Sequence, residues 1–302
     1  MKSKLSYCST LLPFVLLFAF VACNKADHTD PAVEESVDTS TTNTTLLTST
    51  TTSCLYAPNY GDSILYKKPT QSGDFFVAPL NNSGIDGTWL SWPDGLSMNR
   101  TTGVLNLSQS ETGVRYNVAF VKKGTTDTCV SQLIIGGMTY LDNIYVISNN
   151  DTLAQPVFDA NPFKNTICDA SNDSDYPDSA ASGDSKCAFD NAAPGSKAND
   201  QKLRVRTKSG IINLKKSLTD GLFGPVLRNG DFKQIPIQYR LNDASNNAMQ
   251  SITVKVMYYD KVSSIPAALI QEVTSKRQSF FNYLIINYKP RPPLLIIAGF
   301  AN

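Results

Sequence analysis

Between Trp92 and Val121, apolar and polar positions are grouped into short runs separated by turn-forming residues. Val104, Leu105 and Leu107 form one run, and Val114, Tyr116, Val118 and Phe120 alternate at period two. Period two is the spacing of a strand with one face buried. Pro93-Asp94-Gly95, Thr102-Gly103 and Glu111-Thr112-Gly113 supply the turns between them. Upstream, Cys54–Tyr56, Ser63–Tyr66, Asp74–Ala78 and Gly87–Trp92 are bounded by Gly or Pro; downstream follow Thr128–Ile135 and Asn143–Ile147. Short strands every 8 to 12 residues or so predict a β-sandwich over residues 54–160.

Alternation stops in the Asp/Ser/Asn-rich stretch 161–200, which reads as a loop or linker without a strand. It returns in residues 201–302. Leu203–Thr207, Gly210–Leu214, Lys233–Leu241 and Ser251–Tyr259 read as strands. Pro266 opens the one helical pattern, running to Phe281 with Leu269, Val273 and Phe280 near one face. Pro292–Phe300 reads as a buried strand or a docking tail, too short to cross a bilayer. The expected fold is all-β: two β-sandwich-like modules in tandem with one C-terminal helix.

Pro93-Asp94-Gly95-Leu96, Thr102-Gly103-Val104 and Gly113-Val114-Arg115-Tyr116-Asn117-Val118 follow one another in a fixed order. That order resembles the immunoglobulin-like repeats of bacterial surface proteins. There a Pro-x-Gly-Leu segment leads to a Thr-Gly-Val/Ile turn and then a Gly-x-Tyr-x-Val strand. In the second half, the turn Tyr239–Ser245 followed by an alternating strand is similar to cadherin-like modules. Both resemblances imply a scaffold rather than a chemistry.

The chain begins with Lys2 and Lys4 before a short apolar run, Leu11–Ala22. A basic segment followed by such a run is the pattern of a secretory signal peptide. Phe20-Val21-Ala22-Cys23 resembles the lipobox of bacterial lipoproteins, with Phe20 where Leu is usual. The resemblance implies a signal peptide over 1–22 and acylation of Cys23, several lipid chains giving a stable anchor. Residues 23–53 are rich in Thr and Ser and lack aromatics. A segment so composed buries too little apolar surface to fold, so it is expected to be a disordered tether. The expected location is the outer membrane or cell surface of a Gram-negative envelope, with the membrane as partner through the anchor.

Of six cysteines, Cys8 falls in the signal and Cys23 in the lipobox, leaving Cys54, Cys129, Cys168 and Cys187. An even remainder in an exported protein reads as disulfides. Three pairings exist, and sequence order favours Cys54–Cys129 and Cys168–Cys187. Charge is unevenly spread. Residues 169–200 hold seven Asp against two Lys, and residues 201–302 hold fifteen Lys and Arg against five acids. A basic module attracts polyanions or anionic headgroups, but on an envelope protein nucleic acid is not an expected partner.

The only histidine, His28, lies in the tether, so no Ser-His-Asp or Cys-His catalyst is expected in the folded part. No catalytic residue is assigned. Trp89 and Trp92 stand three apart in one strand and project to opposite faces; one belongs to the core, and the other is the candidate for stacking on a sugar. Asp169, Asp173, Asp175 and Asp178 cluster between Cys168 and Cys187, and carboxylates so gathered suit calcium. Counted from Asp169, however, Ser174 and Ala180 stand where an EF-hand needs Gly and Glu. No other cofactor is expected. The chain reads as a non-catalytic envelope lipoprotein for adhesion, binding or scaffolding, its partner a glycan or another envelope protein. The alternative is a carbohydrate-binding lipoprotein of a polysaccharide-uptake system.

Overall fold

A computed structural model describes residues 54–172, 176, 184–282 and 292–302. The signal-like segment, Cys23, the tether, Asp173, Asp175 and Asp178 lie outside the described residues. The first module contains Ile64–Leu65 (β1), Phe76–Val77 (β2), Gly87–Trp92 (β3), Leu105–Asn106 (β4), Val114–Lys122 (β5) and Thr128–Ile135 (β6). Four of these form a sheet in the order β1-β6-β5-β3, and β2 pairs with β4 opposite it. The alternating residues Tyr116, Val118 and Phe120 of β5 face inward onto Trp89, Leu105 and Leu107. Gly103 sits at φ 72°, and a Cβ there would lie 2.5 Å from the Trp89 ring. The Thr-Gly turn thus supplies both the left-handed backbone and the room that the indole needs.

After β6 the chain turns at Gly136-Gly137 and continues as Met138–Tyr140 (β7), Asn143–Val146 (β8), Leu153–Ala154 (β9) and Pro156–Phe158 (β10). Next come Cys187–Phe189 (β11), Ile212–Asn213 (β12), the short helix Leu214–Thr219 (α1), Phe232–Leu241 (β13) and Gln250–Lys261 (β14). Helix Ala267–Phe281 (α2) and strand Leu294–Phe300 (β15) complete the order. The second sheet runs β11-β13-β14-β15-β8, antiparallel on the β11 side and parallel across β14-β15-β8. Residues 143–146, counted with the first module on sequence grounds, therefore hydrogen-bond into the second sheet.

Leu294 to Ala298 are all buried, the continuous apolar run of a parallel strand covered on both faces. On one face Ile235, Ile237, Tyr239, Val254 and Val256 build the largest core. On the other, Leu269, Ile270 and Val273 of α2 pack on Ile144, Met257 and Ile296. The helix follows Pro266 as the sequence pattern expects. Several elements differ from expectation: Cys54–Tyr56 is a turn fastened by its disulfide, and Leu203–Thr207 is not a strand but contributes only a single bridge, Val205 to Ile212. The stretch 161–200, expected to be a loop or linker, does contain a strand, β11, whose three buried residues pair with β13. Three residues are too few to show a period. Helix α1 was also unforeseen; the Asn213 side chain caps it by accepting the Lys216 N–H at 2.9 Å.

Both disulfides form in the favoured pairing, with Cα atoms 5.5 Å apart for Cys54–Cys129 and 5.2 Å for Cys168–Cys187. Residues 52–302 form one compact unit, and all three cores and both disulfides lie within it. The first disulfide closes 75 residues of chain, a loop long enough to remove substantial entropy from the unfolded state. Replacing Cys54 and Cys129 by Ala should destabilise this unit by about 2–5 kcal/mol in urea unfolding. Thiol titration of the denatured, unreduced unit should find no reactive cysteine; one or more thiols per chain would refute the pairing.

Candidate functional site

The two sheets meet where the end of β6, the start of β5 and the end of β13 converge, and Tyr239 stands at that point. Its position in β13 has the same parity as Ile235 and Ile237, so the ring enters the core and stacks on Phe189 with centroids 6.0 Å apart. The hydroxyl emerges at the junction. It lies 2.6 Å from Thr112 Oγ1, donates to Gln250 Oε1 at 3.1 Å, and accepts the Met138 N–H at 3.3 Å. Thr112 belongs to the turn before β5, so one phenol ties the first sheet to the second. Gly137, at φ 133°, makes the approach feasible. A Cβ there would sit 2.6 Å from Gln250 Oε1 and 2.8 Å from the Tyr239 oxygen.

A buried carboxylate reinforces the junction. Asp159 Oδ1 accepts the Gly137 N–H at 2.9 Å, while Oδ2 accepts Tyr66 Oη at 2.8 Å and Lys164 Nζ at 2.5 Å. Three donors, one of them charged, satisfy an acid that burial alone would disfavour. Burial raises the pKa of the Tyr66 phenol well above its ordinary value, and the bond to Asp159 and the Asp159 and Asp243 charges add to the shift. Burial likewise raises Tyr239, opposed in part by its bonds to Thr112 and Met138. At neutral pH both phenols therefore act as hydrogen-bond donors, neither as a base. The arrangement holds and positions groups.

Beside this network lies a cleft of ≈ 510 Å³. Tyr60, Tyr66, Phe75 and Val77 form its apolar wall, Asp62 and Ser63 its rim, and Ala244 of the second module its far side. Its walls are fixed from both modules. Lys67 Nζ donates to the Met249 carbonyl at 2.8 Å, and Lys68 Nζ donates to the Ala244 carbonyl. The Tyr60 hydroxyl is held by the Gly103 carbonyl at 2.6 Å. An aromatic wall with a polar rim between two modules has the form of a small-molecule site.

The sequence-derived candidates fall elsewhere. Trp89 is 1% exposed, edge-on to Tyr60 at 6.3 Å and 5.0 Å from Phe120. Burial takes it out of a ligand's reach. Trp92 is half-buried at the end of edge strand β3, outside the cleft lining. The Asp169 carboxylate accepts the Lys186 N–H at 2.8 Å, with the Lys186 ammonium 3.7 Å away. Among the described residues no three His, Cys, Asp or Glu side chains are placed to share a cation. The calcium expectation rests on Asp173, Asp175 and Asp178, which are not among those residues. The sequence places Thr112 in a turn and Tyr239 near the end of a strand, but nothing local marks these two, Gly137, Asp159 or Gln250 as parts of one junction. The nearest signal is the Gly136-Gly137 doublet directly after a strand.

A raised tyrosine pKa means that the folded state holds its proton more tightly than the unfolded chain does. The resulting stability is complete below the unfolded value, near pH 10, and is lost as pH rises above it. Unfolding free energy should fall above about pH 10, by up to ~1.4 kcal/mol per pH unit for each such phenol. Tyr239→Phe should cost about 1–3 kcal/mol at neutral pH, because the partners lose their bonds, and should make the alkaline fall shallower. Urea titrations at pH 8 and pH 11 compare the two; parallel pH profiles would exclude Tyr239 as a titrating lock.

No family model matches this sequence, and no curated protein does. Among solved structures, human protocadherin-24 EC1-2 is similar at 8% identity and a TM-score of 0.20, over 66% of this chain and 94% of that one. An I-band fragment of titin is similar at 11% identity and a TM-score of 0.18, over 66% of this chain and 63% of that one. The all-β assignment rests on the strands themselves.

Proposed function

We propose that this chain is a non-catalytic, lipid-anchored protein of a bacterial cell envelope whose two β modules form a binding head. The cleft beside the junction is its ligand site. The observation that carries this reading is the aromatic wall of Tyr60, Tyr66 and Phe75. Tyr66 is held by Asp159, Tyr60 by the Gly103 carbonyl, and the cleft is bridged by the Lys67 and Lys68 bonds to the second module. A wall that is already ordered loses little entropy when a ligand arrives. The basic and apolar residues before Cys23, and the Thr/Ser-rich stretch after it, support the anchor and the tether. The ligand class that fits best is a glycan. Aromatic faces pack on the C–H faces of a sugar ring, and Asp62 and Ser63 at the rim offer partners for its hydroxyls.

Two measurements test this reading. Replacing Cys23 with Ser should move the protein from the membrane fraction to the soluble one and abolish acyl labelling; unchanged labelling would sink the anchor. The 52–302 unit should retain specific glycans on an array, and Phe75→Ala or Asp62→Ala should weaken that binding about tenfold, the effect of losing ~1.4 kcal/mol of contact. An array with no retained glycan, or variants that bind as well as the parent, would remove the cleft as a sugar site.

A further inference from the structure

The strand register places a second surface at the end of the second module that faces away from the junction. Tyr239 of β13 pairs with Gln250 at the junction, and Phe232 pairs with Met257 seven residues further along. At ~3.4 Å per residue this end lies about 24 Å along the strand from the Tyr239 backbone. The turn 226–231 runs beside the end of β14: the Asp260 N–H donates to Asn229 Oδ1 at 2.7 Å, and Gly230 donates to the Tyr258 carbonyl at 2.9 Å. Phe300, last residue of β15, pairs with Lys261 on the other side of β14. The two sequence-remote segments therefore share one end of the sheet.

That end exposes apolar side chains: Val226 is 64% accessible, Leu227 38%, Phe232 56% and Phe300 64%. Cations surround them. Lys255 Nζ lies 4.6 Å from the Phe232 ring centroid, and Arg228, Lys233 and Lys261 are exposed. Among the described residues none of these four cations makes a salt bridge, although Lys261 acts electrostatically on its neighbour Asp260. The two acids nearby are engaged locally: Asp231 Oδ2 accepts the Arg228 N–H at 2.9 Å, and Asp260 Oδ1 accepts the Lys261 N–H at 2.9 Å. A cleft of ≈ 300 Å³ opens between Phe223 and Phe232, with Arg228, Lys233 and Asp231 at its mouth.

We propose that this tip docks on an anionic lipid bilayer. Charge complementarity selects an anionic partner, and the aliphatic side chains distinguish a bilayer from a soluble polyanion. Val226 and Leu227 gain nothing from a hydrated polysaccharide or nucleic acid, but they suit the boundary between headgroups and acyl chains. Long cationic side chains around them keep their charges at the phosphate level while their stems follow the apolar residues inward. In the cleft the two cations Arg228 and Lys233 outnumber the one carboxylate, Asp231, and the volume admits one phosphate headgroup.

Co-sedimentation of the 52–302 unit with vesicles tests this directly. Vesicles containing phosphatidylglycerol should retain the protein, and raised salt should release it; vesicles of phosphatidylcholine alone should retain far less. Arg228→Gln with Lys233→Gln should weaken retention about 25-fold, at about fivefold per cation. Val226→Ser with Phe232→Ser should weaken it at least tenfold. All four positions are exposed, and unchanged melting temperatures would confirm that each variant remains folded. Equal retention on both vesicle types overturns the proposal. So does an apolar variant that binds as well as the parent, especially if dextran sulfate competes as effectively as lipid; the tip would then be a general polyanion site.

Discussion

The hydroxyl of Tyr239 is the point on which the arrangement of the two sheets depends. Its ring is a core residue of the second sheet, while its oxygen bonds Thr112 from the first and the Met138 N–H just after the crossing. A buried hydroxyl surrounded by partners contributes modestly when satisfied but costs its full desolvation when deprived of them. This asymmetry favours one relative placement of the sheets over neighbouring ones. Asp159 acts in the same sense, holding Gly137, Tyr66 and Lys164 with a single carboxylate. Where two modules meet through apolar contact alone, small slides cost little. Here a slide breaks bonds made by Tyr239 and Asp159, both of which are buried.

The cleft is a consequence of that lock. Tyr66 contributes its hydroxyl to Asp159 and its ring to the cleft wall, so the same side chain fixes the junction and shapes the pocket. The 243–249 turn is reached by Lys67 and Lys68 from the first module. Individually such exposed bonds are weak, since solvent competes for both partners. Added to a junction already held by buried groups, they need only choose among side-chain positions.

The head has two ends remote from the junction, and they differ in chemistry. At one, Cys54 is fastened to Cys129 at the start of β6, where the preceding chain enters. At the other, the turn before β13 and the ends of β14 and β15 carry exposed apolar side chains beside Arg228, Lys233, Lys255 and Lys261. The tip and the junction cleft are separate surfaces of the head. Cys168–Cys187 fastens the start of the Asp-rich 169–200 stretch to β11, the sheet edge opposite β8.

Local pattern by itself determined a large part of this protein. Turn residues and strand-like runs marked Gly87–Trp92 and Thr128–Ile135 to the residue, period two marked the inward face of β5, and the long strands around Lys233–Leu241 and Ser251–Tyr259 were located within a residue or two. Helical spacing after Pro266 found α2, and the order of the cysteines favoured the disulfide pairing that forms. These signals are legible because they depend on residues near one another, or on one face of one element. Only tertiary structure decided that Asn143–Val146 joins the second sheet beside Leu294–Phe300 and that Cys187–Phe189 is a strand at all. Parallel partners far apart in sequence leave no common period, and a three-residue buried strand shows none. Strand parity separated Trp89 from Trp92, but Gly103 and Phe120 decided which of them is sealed inside. Tyr239 reads in sequence as one more inward aromatic. Its role exists only because Thr112, Gly137 and Gln250, spread over 139 residues of chain, converge on its oxygen when the two sheets close.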